Sequence, residues 1–156
     1  MWSADGKLLY IHSRKSWKIM AFEIANAEAP PREIVEVKTT WYPAMSPDGQ
    51  KVAYLEAEQL VIKDCTSGKP LHTWPVPGWK GLLPSWSPDG QKVGFGSYGY
   101  GSGNGLWVLN LRTGRATQIV SGPCTLAAWS RDGARLSFDV RLQDRHEIRI
   151  VDAARD

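Results

Sequence analysis

The sequence predicts an all-β fold assembled radially from four repeats, a β-propeller, and two observations carry that expectation. One hairpin motif occurs four times: WSADGKLLYIHS from Trp2, MSPDGQKVAYLEA from Met45, WSPDGQKVGFGSY from Trp86 and WSRDGARLSFDVR from Trp129. Its aspartates, Asp5, Asp48, Asp89 and Asp132, lie 43, 41 and 43 residues apart, which is the period of a blade of four short strands.

The motif reads as a turn between two strands. Proline suits the first central position of a type I turn and Asp the second. The glycine that follows, Gly6, Gly49, Gly90 or Gly133, takes a positive φ without a Cβ clash. The residue three before each Asp (Trp2, Met45, Trp86, Trp129) is apolar, as are those four and six after it: Leu9 and Ile11, Val52 and Tyr54, Val93 and Phe95, Leu136 and Phe138. This is strand alternation with one buried face.

Taken in order, the repeats cover about 2–38, 39–78, 79–121 and 122–156, and each should supply strands a to d from the axis outward. The first begins at the end of strand a (Trp2, Ser3) and continues with b at 8–13, c at 18–24 and d at 33–38. The second is complete, with a at 40–46, b at 51–55, c at 60–64, the turn TSGK and d at 71–76. The third, from 82 to 120, is complete too, with RTGR as its last turn and d at 116–120. The fourth supplies a at 125–130, b at 135–140 and c at 147–151. The first blade thus lacks most of strand a and the last lacks strand d. These ends do not complete one another, and an open arc would leave sheet edges and faces bare. The expected settings are a piece of a larger propeller, a ring completed by a partner such as a second copy, or a compact four-bladed form.

Four W-S-x-D-G hairpins, each followed by a strand ending in an acid or amide (Glu23, Asp64, Asn110, Asp152), resemble the TolB-type β-propeller repeat. The resemblance covers nearly the whole chain, which lacks the Gly-His and Trp-Asp pairs of true WD repeats. It implies an interaction platform, and a periplasmic or other extracytoplasmic location. The separate α/β domain of the family's namesake has no counterpart here.

Composition bounds the remaining options. The chain has 42% apolar residues, eight tryptophans and a net charge of +3 from interleaved charges, which fits a mixed globular surface rather than a nucleic-acid footprint. The apolar runs are far shorter than the ~20 residues of a membrane-crossing helix. The N-terminal residues are repeat material without a charged-then-apolar leader. Cys65 and Cys124 fall at different places in their repeats, so two free, partly buried thiols are expected.

Catalytic patterns are absent from the sequence. It contains no G-x-S-x-G elbow, and His12, His72 and His146 each stand in a different repeat without a distinctive neighbour. No His or Cys pair has metal-ligand spacing, and no cofactor is expected. The segment GSYGYGSGNG from Gly96 to Gly105 matches neither phosphate-binding glycine pattern, and reads as a long loop between strands b and c. The acids and amide ending strand c read as turn formers.

A binding face can be placed more definitely. In a propeller the b-to-c and d-to-a loops share one face, which here would carry Trp17, Trp79, Lys80, Tyr98, Tyr100, Arg145 and His146, with Arg14 and Lys15 beside Trp17. Aromatic residues with basic neighbours are the usual anchors of protein interfaces. The sequence is therefore read as a non-catalytic propeller module that binds protein or peptide through this face. The alternative is the gating propeller of a prolyl-oligopeptidase-type serine peptidase whose catalytic domain lies outside this chain. A third class, a propeller enzyme with acids in its central channel, finds no identifiable acids.

Overall fold

A computed structural model of the chain describes residues 1–76, 83–97, 104–142 and 145–153. Among them the strands form four antiparallel sheets. The first holds β1 (Leu8–Ser13), β2 (Lys18–Glu23) and β3 (Arg32–Glu36). The second holds β4 (Ala44–Met45), β5 (Lys51–Glu56), β6 (Gln59–Asp64) and β7 (Pro70–Pro75). The third holds β8 (Ser85–Trp86), β9 (Lys92–Ser97), β10 (Gly105–Asn110) and β11 (Arg115–Ser121), and the last β12 (Cys124–Trp129), β13 (Arg135–Arg141) and β14 (His146–Asp152). Each is a meander in chain order, the arrangement of a propeller blade. The expected missing strand a of the first blade survives as a single bridge from Trp2 to Leu9.

Each Ser-x-Asp-Gly turn is closed by the same bonds. In the second blade the Gly49 amide donates to the Ser46 carbonyl at 2.9 Å, the Ser46 hydroxyl donates to Asp48, and Asp48 accepts the Gln50 amide at 3.0 Å. The Ser46 hydroxyl also accepts the Lys51 amide at 2.9 Å. The glycines sit at φ of 68° to 71°. The serine is thus a structural member of the motif, a role that turn propensity alone did not assign. Asp64 and Asn110 close the outer turns as expected, accepting amides of Ser67, and of Arg112 and Thr113. Glu23 does not, for it leads into a short 3-10 turn without a side-chain bond.

Burial departs from one-sided alternation. In β5 and β6 both faces are buried, because blades stack face to face and an inner blade has two neighbours. One cluster joins Tyr10, Ile19 and Ala21 of the first blade to Val52 and Tyr54 of the second. Another joins Ala53, Leu55, Leu60 and Ile62 to Trp86, Val93 and Phe95 of the third. A third joins Leu106 and Val108 to Leu136 and Phe138 of the fourth. Residues four and six after the Asp therefore face the preceding blade, and those five and seven after it face the following one. This corrects the reading of the first hairpin. Leu9 is only half-buried, Ile11 is 45% exposed and Trp2 is 62% exposed, because they face a side with no blade on it.

Tryptophan fixes two of the three contacts between blades, and Met45 stands at the corresponding place in the contact between the first and second. The Trp86 indole Nε1 donates to the Ala44 carbonyl at 2.9 Å, and that of Trp129 donates to Ser85 at 3.0 Å, one blade back in each case. The third and fourth blades also approach closely at Gly96, where a Cβ would lie 2.4 Å from the Thr125 carbonyl oxygen. Gly96 and Gly105 accordingly belong to β9 and β10 rather than to the loop expected over Gly96–Gly105. Both cysteines are free, and burial pushes the Cys65 thiol up to about 11.

Two expected outcomes follow. Trp86→Ala should cost about 3–5 kcal/mol in urea unfolding, whereas Trp86→Phe, which keeps a ring but loses the N–H, should cost about 1–2; equal costs would remove the hydrogen bond from the account. The second concerns acid. The serine hydroxyls hold Asp5, Asp89 and Asp132 below the ordinary carboxylate value, and at Asp48 burial works upward but is outweighed by Ser46 and Gln50. A folded pKa below the unfolded one gives stability that is complete above the unfolded value, about pH 4, and lost as pH falls through the folded value. Unfolding free energy should therefore drop below about pH 4, and drop less steeply in Ser87→Ala than in the parent chain.

Candidate functional site

The strongest candidate site lies on the loop face between the first two blades, in a cleft of about 500 Å³ lined by Trp17, Lys38 to Trp41 and Leu55 to Glu58. Three connections build it. The β1–β2 turn brings Trp17, whose carbonyl accepts the Val37 amide at 2.7 Å. The link from the first blade to the second brings Trp41, whose amide donates to the Thr39 hydroxyl at 3.1 Å. The β5–β6 turn brings Glu56, Ala57 and Glu58. Trp17 and Trp41 are half-buried, while Thr40, Ala57 and Glu58 are exposed.

The cleft also concentrates backbone strain. Among the described residues three non-glycine positions have positive φ: Trp17 at 59°, Ala57 at 46° and Glu58 at 59°, and all three line this cleft. The left-handed region costs an L-residue roughly 1–2 kcal/mol. A two-residue hairpin with positive φ at both central positions normally carries Asn-Gly, and here it carries Ala-Glu. Strain of this kind clusters where a surface has a task beyond folding.

Charge and polarity are organised around the two indoles. The Tyr54 hydroxyl donates to Glu56 at 3.2 Å, and burial together with Glu56 raises the Tyr54 pKa, so the phenol stays protonated. Lys38 pairs with Glu36 at 3.6 Å, and Glu58 offers an exposed carboxylate at the rim. Behind Trp17, His12 faces the Val37 carbonyl at 3.3 Å, and burial lowers its pKa, which favours the neutral imidazole. Arg14 sits 5.5 Å from the centre of the Tyr42 ring, joining the same two connections outside the cleft.

Of the residues expected on the binding face, Trp17 is in this cleft. Arg145 and His146 lie at the other end of the arc, just before β14 and at its first residue, each held by an acid of its own sheet. The Arg145 guanidinium donates to Glu147 at 2.8 Å, and His146 Nδ1 lies 3.2 Å from Asp139, which also accepts the Thr125 hydroxyl. Trp79, Lys80, Tyr98 and Tyr100 lie outside the described residues. Trp41, Glu56 and Glu58 were missed in the sequence. The signal for the turn was Glu-Ala-Glu between two apolar runs, with no glycine, which carries no turn propensity. No group of three potential metal ligands occurs among the described residues.

Comparison with known proteins bears on the fold. No family model matches the chain. Dipeptidyl-peptidase 5 of Porphyromonas gingivalis is 27% identical over 171 aligned residues, covering 97% of this chain and 24% of that protein. The chain therefore spans about a quarter of the length of this curated relative. Among solved structures, a putative TolB from Agrobacterium tumefaciens matches with a TM-score of 0.69 and 22% identity, over 97% of this chain and 56% of that one. TolB from Acinetobacter baumannii matches at 0.66 and 18%, over 93% and 38%. A β-propeller domain from Myceliophteria thermophila matches at 0.58 and 16%, over 88% and 47%. The fold is that of TolB-type and WD-type β-propellers, with four blades in this chain.

The strained turn gives a direct test. Replacing Ala57 by Asn together with Glu58 by Gly should raise stability by about 1–2 kcal/mol, read as a higher urea midpoint at unchanged slope. An unchanged or lower midpoint would show that the turn stores no strain.

Proposed function

We propose that this chain is a non-catalytic propeller segment that binds protein or peptide through its loop face, with the Trp17–Trp41 cleft as the anchoring point. The observation that carries this reading is the coincidence of two half-buried indoles with all three left-handed non-glycine residues of the described chain. Two rigid aromatic walls with a free carboxylate at the rim suit an extended peptide presenting a basic side chain, which an indole face attracts and Glu58 can pair with. Trp79, Lys80, Tyr98, Tyr100, Arg145 and His146 would extend the contact along the same face.

A second reading is favoured by one specific observation, the likeness to a dipeptidyl-peptidase along nearly the whole chain. On that reading the arc belongs to the gating propeller of a prolyl-oligopeptidase-type serine peptidase, and the same cleft would hold incoming peptide. The chemistry would reside elsewhere, since the chain has no G-x-S-x-G elbow. Finding that elbow in the parent reading frame would decide for it.

Both readings are tested by titrating the chain with capped lysine-rich, glutamate-rich and apolar peptides while following tryptophan fluorescence. The lysine-rich peptide should bind, and Trp17→Ala should weaken it at least about tenfold, the equivalent of 1.4 kcal/mol, at unchanged melting temperature. Trp79→Ala should do likewise to a lesser degree. No response to any peptide, or unfolding of the Trp17→Ala chain, would remove the cleft as an anchor.

A further inference from the structure

The Trp17–Trp41 cleft attracts a positive charge, and its oxygens are engaged elsewhere. Two half-buried indoles belong to its walls, and its volume of about 500 Å³ falls within the range of small-ligand clefts. Every residue of the lining comes from the first two blades and the link between them. The ionisable groups among these residues are Lys38, Glu56 and Glu58, one carboxylate in excess. Lys38 pairs at 3.6 Å with Glu36, which stands outside the lining.

Four acceptors along the cleft already hold donors of the protein. The Trp17 carbonyl accepts the Val37 amide at 2.7 Å, and the Glu58 carbonyl accepts the Val76 amide at 2.8 Å. The Thr39 hydroxyl accepts the Trp41 amide at 3.1 Å, and Glu56 Oε2 accepts the Tyr54 hydroxyl at 3.2 Å. A primary ammonium brings three N–H donors and a guanidinium five, and each that leaves water without finding an acceptor weakens binding. A trimethylammonium group carries the same charge, spread over its methyl groups, and no donor at all. Indole faces with a carboxylate nearby are the surroundings that suit it.

We propose that the cleft recognises a trimethylammonium group carried on a peptide side chain, that of N-methylated lysine, held against the Trp17 and Trp41 rings with Glu56 and Glu58 as its counter-charge. This inference rests on the reading of the cleft as a peptide anchor, and narrows it from basic side chains in general to the fully methylated one. The two indoles supply the attraction, because tryptophan has the strongest π face for a cation. The two carboxylates act by charge rather than by hydrogen bonding, so their commitment to partners inside the protein does not weaken them.

Isothermal titration calorimetry on the whole chain tests this with capped peptides of one sequence that carry lysine, trimethyllysine or a neutral tert-butyl isostere of trimethyllysine, and with choline beside them. The trimethyllysine peptide should bind at least about tenfold tighter than either the lysine peptide or the neutral isostere, the scale of a desolvated cation–π contact. Trp41→Phe should lower that affinity by less than Trp41→Ala does, and Glu58→Gln should weaken the charged peptides while sparing the isostere. Circular dichroism of each variant should match that of the parent chain. Equal or tighter binding of the lysine peptide would overturn this inference and leave the peptide-anchor reading standing. Equal binding of the neutral isostere would overturn it as well, by showing an apolar slot, and choline binding as tightly as the peptide would overturn the peptide as carrier. Heat from none of the four ligands would remove this inference together with the reading beneath it.

Discussion

A blade of this chain cannot be stable alone, because its sheet is apolar on both faces, and that constraint shapes everything else. Stacking covers the faces, and in the third and fourth blades a tryptophan that reaches back to the preceding blade sets how the sheets meet. Its ring fills volume and its N–H binds an inner-strand carbonyl, at 2.9 Å for Trp86 and 3.0 Å for Trp129. Area burial tolerates sliding, whereas a directional hydrogen bond does not. The pair of effects fixes both angle and register.

The Ser-x-Asp-Gly turns serve the same contact from one end. The serine hydroxyl stands between the Asp carboxylate and the backbone amide five residues on, which ties the short inner strand to the next. Strands β4 and β8 contain only two residues each in the ladder. Without the turn network such strands would fray, and Met45 and Trp86 would lose their positions. Loop connections at the opposite end are free of that duty, and there the chain spends strain on Trp17, Ala57 and Glu58 instead.

Much of the fold was legible in the sequence because the turn chemistry is repeated. Four Asp-Gly pairs at similar spacing located the hairpin between the first two strands of each blade, and most strand positions followed by alternation. What did not follow was which face meets which neighbour. Tyr10, Ala53, Gly94 and Ser137 occupy one position and share no hydropathy, so the second buried face carries no periodic signal. The candidate site was less legible. Trp17 was placed on the loop face, but Trp41 and the Glu56–Glu58 turn take their importance from two connections meeting in space, and from φ angles that Ala and Glu do not advertise.

The residues matched in size across the contacts, Met45 with Tyr10 and tryptophan with Ala53 or Gly94, have an evolutionary side. The residue three before the turn Asp and the residue five after it face opposite neighbours, so a duplicated blade carries half of one match and half of another. The heritable unit is the boundary between two blades rather than the blade. A gene segment copied from one hairpin to the next would bring halves of two different matches, and each mismatch in a packed contact costs typically about 1–3 kcal/mol. Repeats that look interchangeable in sequence are in this sense addressed, each one to its own neighbour.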